Sequence, residues 1–194
     1  MKMKSSAFPF FLFPNIGWWK EAFKCNEIIV ETSENWVKQS LRNRYELVNS
    51  NGRLRLSVPI IKKTRGLLRE VEISYTENWP LQHWRGLEAA YNKSPYFEFY
   101  KSELQEIIFS EPSKLIELNT RALKFCVKKL NFTAEIVYSQ GFVERYELDL
   151  RHSNFAVETV KYSQVFNDKL PFESNLSVLD LLFNYGSEAA SLLR

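Results

Sequence analysis

Residues 7–31, AFPFFLFPNIGWWKEAFKCNEIIVE, decide the fold. Ala7 to Phe13 is an apolar run, broken by Pro9, that reads as a fully buried strand. The run stops at Pro14-Asn15, and Gly17 to Phe23 then has the pattern of a short helix. Glu27 to Glu31, centred on Ile28-Ile29-Val30, is a second buried strand. Strand, helix, strand in so short a space packs as a parallel pair. The pattern predicts a single α/β domain over residues 1–194, with a central, largely parallel sheet, an antiparallel β-hairpin insertion at 44–60 and flanking helices. A mixed α+β sheet is the alternative.

The insertion is read from Tyr45 to Ile60. Asn51-Gly52 offers the two positive-φ residues of a type I′ turn, which pairs Val48 with Arg55 and Leu47 with Leu56. One face then carries Tyr45, Leu47, Leu54, Leu56 and Val58, and the other carries Arg44, Glu46, Val48, Arg53, Arg55 and Ser57. Downstream, Arg69–Tyr75 alternates like a half-buried strand. A helix starts at Pro80 and runs to about Lys93, followed by helices over Tyr96–Phe109 and Lys114–Leu130, the last capped by Ser113. The long helical stretch before the strand at Ala134–Ser139 favours a parallel crossover. Val143–Leu150 reads as a further strand. Ser177-x-x-Asp180 resembles a capping box, and Gly186 is placed to end the helix it opens.

Composition narrows the function classes. With 194 residues, 45% hydrophobic and 25% charged, the chain is an ordinary globule and too apolar for disorder. Aromatics at 15% imply a ring-rich core or a ring-lined pocket. A net charge of +3 is too mild to announce a nucleic-acid binder. Cys25 and Cys126 have no C-x-x-C spacing and no His cluster beside them, so no metal site is expected and both thiols read as buried and reduced. The start, MKMKSSAFPFFLF, imitates a secretory signal, but Pro9 and Pro14 interrupt its apolar run. No stretch approaches the ~18 apolar residues of a membrane span. A cytoplasmic protein is the expectation.

No phosphate loop, serine elbow or zincin helix is present, and no cofactor can be named. Three weaker signals carry chemistry. Between Lys38 and Arg69 stand nine Lys/Arg (Lys38, Arg42, Arg44, Arg53, Arg55, Lys62, Lys63, Arg65, Arg69) against one acid, Glu46. Arginines on one strand face can grip a phosphate or carboxylate bidentately, or can guard an exposed edge. Tyr45 is the lone aromatic within 38–69, which argues against nucleic acid. His83, next to Arg85 and in line with Gly86 and Ala90, is either a general base facing a substrate or a structural hydrogen-bonding residue. Asp149-Leu150-Arg151-His152 is either an acid orienting a histidine or a local ion pair.

Several motifs follow one another in a recognisable order: Phe13-Pro14-Asn15 with Gly17-Trp18-Trp19, Gln39-Ser40-Leu41-Arg42-Asn43-Arg44, and Leu56-Ser57-Val58-Pro59. Asn78-Trp79, His83-Trp84-Arg85, Ser94-Pro95-Tyr96-Phe97 and Asn175 to Asn184 complete the series. The chain thereby resembles the WbqC-like family along essentially its whole length. That resemblance implies a bacterial protein of surface-polysaccharide (O-antigen or capsule) biosynthesis, with acyl or aminoacyl transfer onto a nucleotide-linked amino sugar as one proposed reaction. The leading expectation is a transferase-like enzyme with His83 as the catalytic candidate and general base, Arg42, Arg44 and Arg85 holding the anion, and Asn15, Asn43, Trp79 and Tyr96 as further candidates for binding a small anionic substrate, a nucleotide sugar. Many relatives begin with His-Gln-Pro where this chain has Leu12-Phe13-Pro14. The other function class is a non-catalytic binding protein recruiting a partner through the basic hairpin face.

Overall fold

In the computed structural model, residues 3–61, 66–144, 146–153, 155 and 160–194 are described. Lys62, Lys63 and Arg65 of the basic stretch lie outside them. Three parallel strands form the main sheet: β1 (Met3–Pro9), β2 (Cys25–Glu31) and β5 (Glu135–Tyr138), in the order β1-β2-β5. Helix α1 (Ile16–Ala22) makes the first crossover, and α2 (Trp79–Tyr91), α3 (Phe97–Ile108) and α4 (Leu115–Lys129) lie within the second. The antiparallel hairpin β3 (Arg44–Asn49) and β4 (Gly52–Ser57) stands apart as its own two-stranded sheet. Helices α5 (Val178–Tyr185) and α6 (Ala189–Leu193) close the chain. The parallel α/β expectation therefore holds, and the mixed α+β alternative falls.

Strand β1 sits upstream of the apolar run that announced it. Its register on β2 runs from Met3 opposite Cys25 to Pro9 opposite Glu31. Pro9 has no N–H to continue a ladder. Phe10, Phe11, Leu12 and Phe13 are buried without strand structure, and Phe13 takes a positive φ of 44°. Burial, not pairing, explains their hydrophobicity. Asn119 of α4 ties this stretch down, its Nδ2 donating to Phe10 O at 3.1 Å and to Arg42 O at 2.9 Å.

The hairpin turns one residue earlier than the Asn-Gly signal implies, which shifts each cross-strand partner by two. Leu47 faces Leu54, Glu46 faces Arg55, and Asn49 faces Gly52 around Ser50-Asn51. Of the turn residues only Gly52 has a positive φ, 103°, and Asn49 Oδ1 accepts from Asn51 N at 2.8 Å. That combination is a type I turn with Asn leading and Gly following, not type I′. A slip of two preserves which residues share a face. Tyr45, Leu47 and Leu56 are accordingly buried against α2, where the open side of Gly86 meets Leu54 and Leu56. The small-residue line on α2 is filled by the hairpin, leaving no room there for a ligand.

Four further expectations change. Around Arg69–Tyr75 the chain makes a 3₁₀ turn at Leu68–Glu70 and single bridges from Ile73 to Ile60 and from Glu72 to Lys114, in place of a strand. Its alternation survives as burial of Val71 and Ile73. Val143–Leu150 is not a strand among the described residues; Asp149 alone bridges to Ala7. Helix α4 starts from Lys114 without a side-chain cap. At α5, Ser177 accepts from Leu179 N, but the Asp180 carboxylate turns inward to Tyr91 and Tyr162 rather than closing a capping box. Gly186 does end that helix, with φ 57°. Among the described residues no helix is long and apolar enough to cross a membrane.

Candidate functional site

The carboxyl ends of the parallel strands lead into Phe10–Asn15 after β1, Thr32–Glu34 after β2 and Ser139 after β5. In open α/β sheets ligands bind at this rim. Here a groove of about 370 Å³ opens, lined by Phe11, Val37, Gln39–Arg42, Arg44, Glu46 and Arg151–Ser153. Its size is in the range of small-molecule sites. Leu41, Arg44 and Glu46 also line a narrower recess that reaches Asn15, Asn175 and Ser177.

Three walls are built by ion pairs, which among the basic stretch engage Arg42, Arg53 and Arg55. Arg42 is buried and bidentate to Glu34, with Nε–Oε1 at 2.7 Å and Nη2–Oε2 at 2.6 Å, and its guanidinium lies over the Phe11 ring at 5.8 Å. On the hairpin face Glu46 accepts from Arg53 at 2.7 Å and from Arg55 at 2.8 Å. Burial would raise the Glu46 carboxyl, but hydrogen bonds from both arginines hold it below the ordinary carboxylate range. Arg53 reaches on to Glu173 at 2.8 Å.

The third wall hangs on Arg151. Its Nε and Nη2 grip Asp149, Nη1 bonds Glu31 at 3.1 Å and Val143 O at 2.8 Å, and Nη2 also bonds Glu144 O at 3.1 Å. The Phe142 and Tyr146 rings cover the guanidinium at 5.2 and 4.9 Å. Behind it Glu31 is fully buried and accepts from Ser33 N and Ser139 Oγ. Arg151 is thus spent on shaping the segment that places His152 and Ser153 beside the groove. The local-pair reading of Asp149 and Arg151 is the one the geometry supports.

Arg44 stands out from these. It is half-buried, its Nε is shut off from water without a hydrogen-bond acceptor, and it forms no ion pair or side-chain hydrogen bond among the described residues. Burial and the nearby Arg55 charge push its pKa down, against the pull of Glu46. A guanidinium partly withdrawn from water beside a like charge is one whose charge an anion would stabilise.

The remaining candidates are not gathered here. His83 is 3% exposed. Its Nε2 lies 3.2 Å from Ser57 O and its Nδ1 3.2 Å from the Tyr45 hydroxyl, with Trp79 edge-on at 4.9 Å. Desolvation pushes its pKa down to about 4, against the backbone hydrogen bond to Ser57. Trp79 is buried beside it. Asn43 spends its Nδ2 on Val58 O at 2.8 Å, at the base of the hairpin. Tyr96 packs its ring on Gly186, whose added Cβ would fall 2.5 Å from Cδ1. Arg85 is exposed on α2. Asn15 caps α1 through Trp18 N at 3.0 Å and lines the narrow recess. Sequence reasoning missed Glu34, Glu31, Asn119 and Glu173, whose partners are set by tertiary contact. Among the described residues no His/Cys/Asp/Glu group could hold a metal ion.

The fold and groove define an α/β protein with an arginine-lined groove at the carboxyl rim of its parallel sheet. The WbqC-like protein family matches residues 11–153, and the chain belongs to that family. It is also similar to an uncharacterized protein of Mycobacterium tuberculosis, Rv1507c, at 28% identity over 207 residues, spanning 87% of this chain and 88% of the relative. No solved structure matches it.

Proposed function

We propose that this WbqC-like protein binds a phosphate-bearing small molecule, a nucleotide-linked sugar, in the groove at the sheet's carboxyl rim. The observation that carries the reading is Arg44, the unpaired and partly desolvated guanidinium facing that groove. Arg42 and Arg151 hold the walls in place through Glu34 and through Glu31 with Asp149. The family resemblance adds the setting, cytoplasmic steps of bacterial surface-polysaccharide biosynthesis, and acyl or aminoacyl transfer onto an amino sugar as the reaction. His83 has no part in this reading, because both ring nitrogens are engaged inside the core.

Calorimetric titration with a panel of nucleotide-linked sugars tests the proposal. Removing a charge-assisted pair costs about 1.5–3 kcal/mol, so Arg44→Ala should weaken binding by roughly tenfold or more. Binding that Arg44→Ala leaves unchanged would move the site elsewhere. The recruitment alternative needs a diffuse positive face, and it loses support because Arg53 and Arg55 are already neutralised by Glu46 and Glu173.

A further inference from the structure

The chain contains two histidines. His83 is sealed in the core, whereas His152 is exposed on the groove's third wall, between Arg151 and Ser153. Its position is fixed from behind. Arg151, one residue earlier, is anchored by Asp149, Glu31 and two backbone carbonyls, so the 151–153 segment is held against the groove whether or not His152 has a partner. His152 itself makes no side-chain hydrogen bond or ion pair among the described residues. The groove therefore presents two cation-capable side chains without acceptors, Arg44 on the hairpin and His152 on the opposing segment, with the hydroxyls of Ser40 and Ser153 also lining it.

We propose that His152 is a ligand-contacting, proton-exchanging residue of the groove, binding from the 151–153 wall the same anionic group that Arg44 binds from the hairpin. This deepens the function proposed above and rests on it. The charged groups facing His152 are Asp149 and Arg151 on its own segment, and Arg42, Arg44 and Glu46 among the groove residues, with Glu31 behind Arg151. Asp149, Glu31 and Glu46 all have their hydrogen bonds committed to arginines, so Asp149 meets the imidazole only through its field and an anionic ligand is the group that can pair with it directly. A phosphodiester keeps its charge across the imidazole range, so the imidazole supplies the pH dependence.

The test is calorimetry with UDP-glucose, whose diphosphate linkage does not titrate between pH 5.5 and 8. Wild type should bind about tenfold more tightly at pH 5.5 than at pH 8, as a charge-assisted hydrogen bond is gained. His152→Gln should bind with less than about a twofold difference between the two pH values, while His83→Gln keeps the wild-type difference. Thermal melts at both pH values establish that each protein is folded. If His152→Gln retains the pH dependence, the His152 assignment is overturned while the Arg44 groove stands. If wild type gives no binding heat at either pH, the groove reading and this inference are overturned together.

Discussion

Acidification should destabilise this protein through His83, and by a calculable amount. The imidazole of an unfolded chain titrates near 6.5, whereas burial holds His83 at about 4 in the folded protein. A folded pKa below the unfolded one means the unfolded state takes up the proton first. The stability His83 contributes is therefore present above pH 6.5 and is lost as pH falls toward 4. From those two values the loss is about 2 kcal/mol at pH 5 and about 3 kcal/mol at pH 4, at roughly 1.36 kcal/mol per unit. Against a typical domain stability of about 5–15 kcal/mol this is large. Desolvation sets the preference for neutrality and the hydrogen bonds fix the tautomer: Ser57 O needs a donor at Nε2, and Nδ1 is left to accept from the Tyr45 hydroxyl. Burial raises the Tyr45 pKa, so that hydroxyl keeps its proton. Urea denaturation of wild type and His83→Gln from pH 8 to 4 isolates the effect, because every other titration is common to both. The two stability curves should converge as pH falls, by about 2 kcal/mol at pH 5. Parallel curves, or an imidazole NMR titration centred near 6.5, would refute the buried-neutral assignment and return His83 to the list of possible bases.

Other expectations follow from particular contacts. Arg151→Met should cost about 3–5 kcal/mol in urea unfolding, because Glu31, 0% exposed, would be left charged without its partner. Asp180 behaves oppositely to His83: burial raises its pKa despite donors from Tyr162, Tyr91 and Gln164, so its contribution is present at low pH and is lost as pH rises. Asp180→Asn should therefore gain on wild type as pH rises through the carboxyl's titration, as read in thermal melts. Gly186→Ala should cost about 2 kcal/mol or more in unfolding free energy, since the new Cβ would lie 2.5 Å from the Tyr96 ring at a φ of 57°. Deleting residues from Asn175 onward removes Leu176, Val178, Leu179, Leu181, Leu182 and Phe183, each 0% exposed, and should abolish cooperative melting in calorimetry.

The sequence by itself determined what periodicity and composition can carry. Ile28-Ile29-Val30 could only be a buried strand, α2 begins where Pro80 permits, and the hairpin's two faces follow from alternation whichever residues make the turn. The family order of motifs was also readable, because it is linear. Tertiary structure decided everything that depends on a partner. Phe10–Phe13 look like strand, but they are core without a ladder, since hydrophobicity records burial and not hydrogen bonding. Arginines at 42, 44, 53, 55 and 151 look alike in sequence. Glu34 lies 8 residues from Arg42, while Glu173 lies 120 from Arg53 and Glu31 120 from Arg151. Whether a cation is spent or free depends on which carboxylate the fold brings within reach, and a count of local charge does not contain that distance. Only folding, by giving the others their acids and none to Arg44, leaves that one guanidinium without a carboxylate among the described residues.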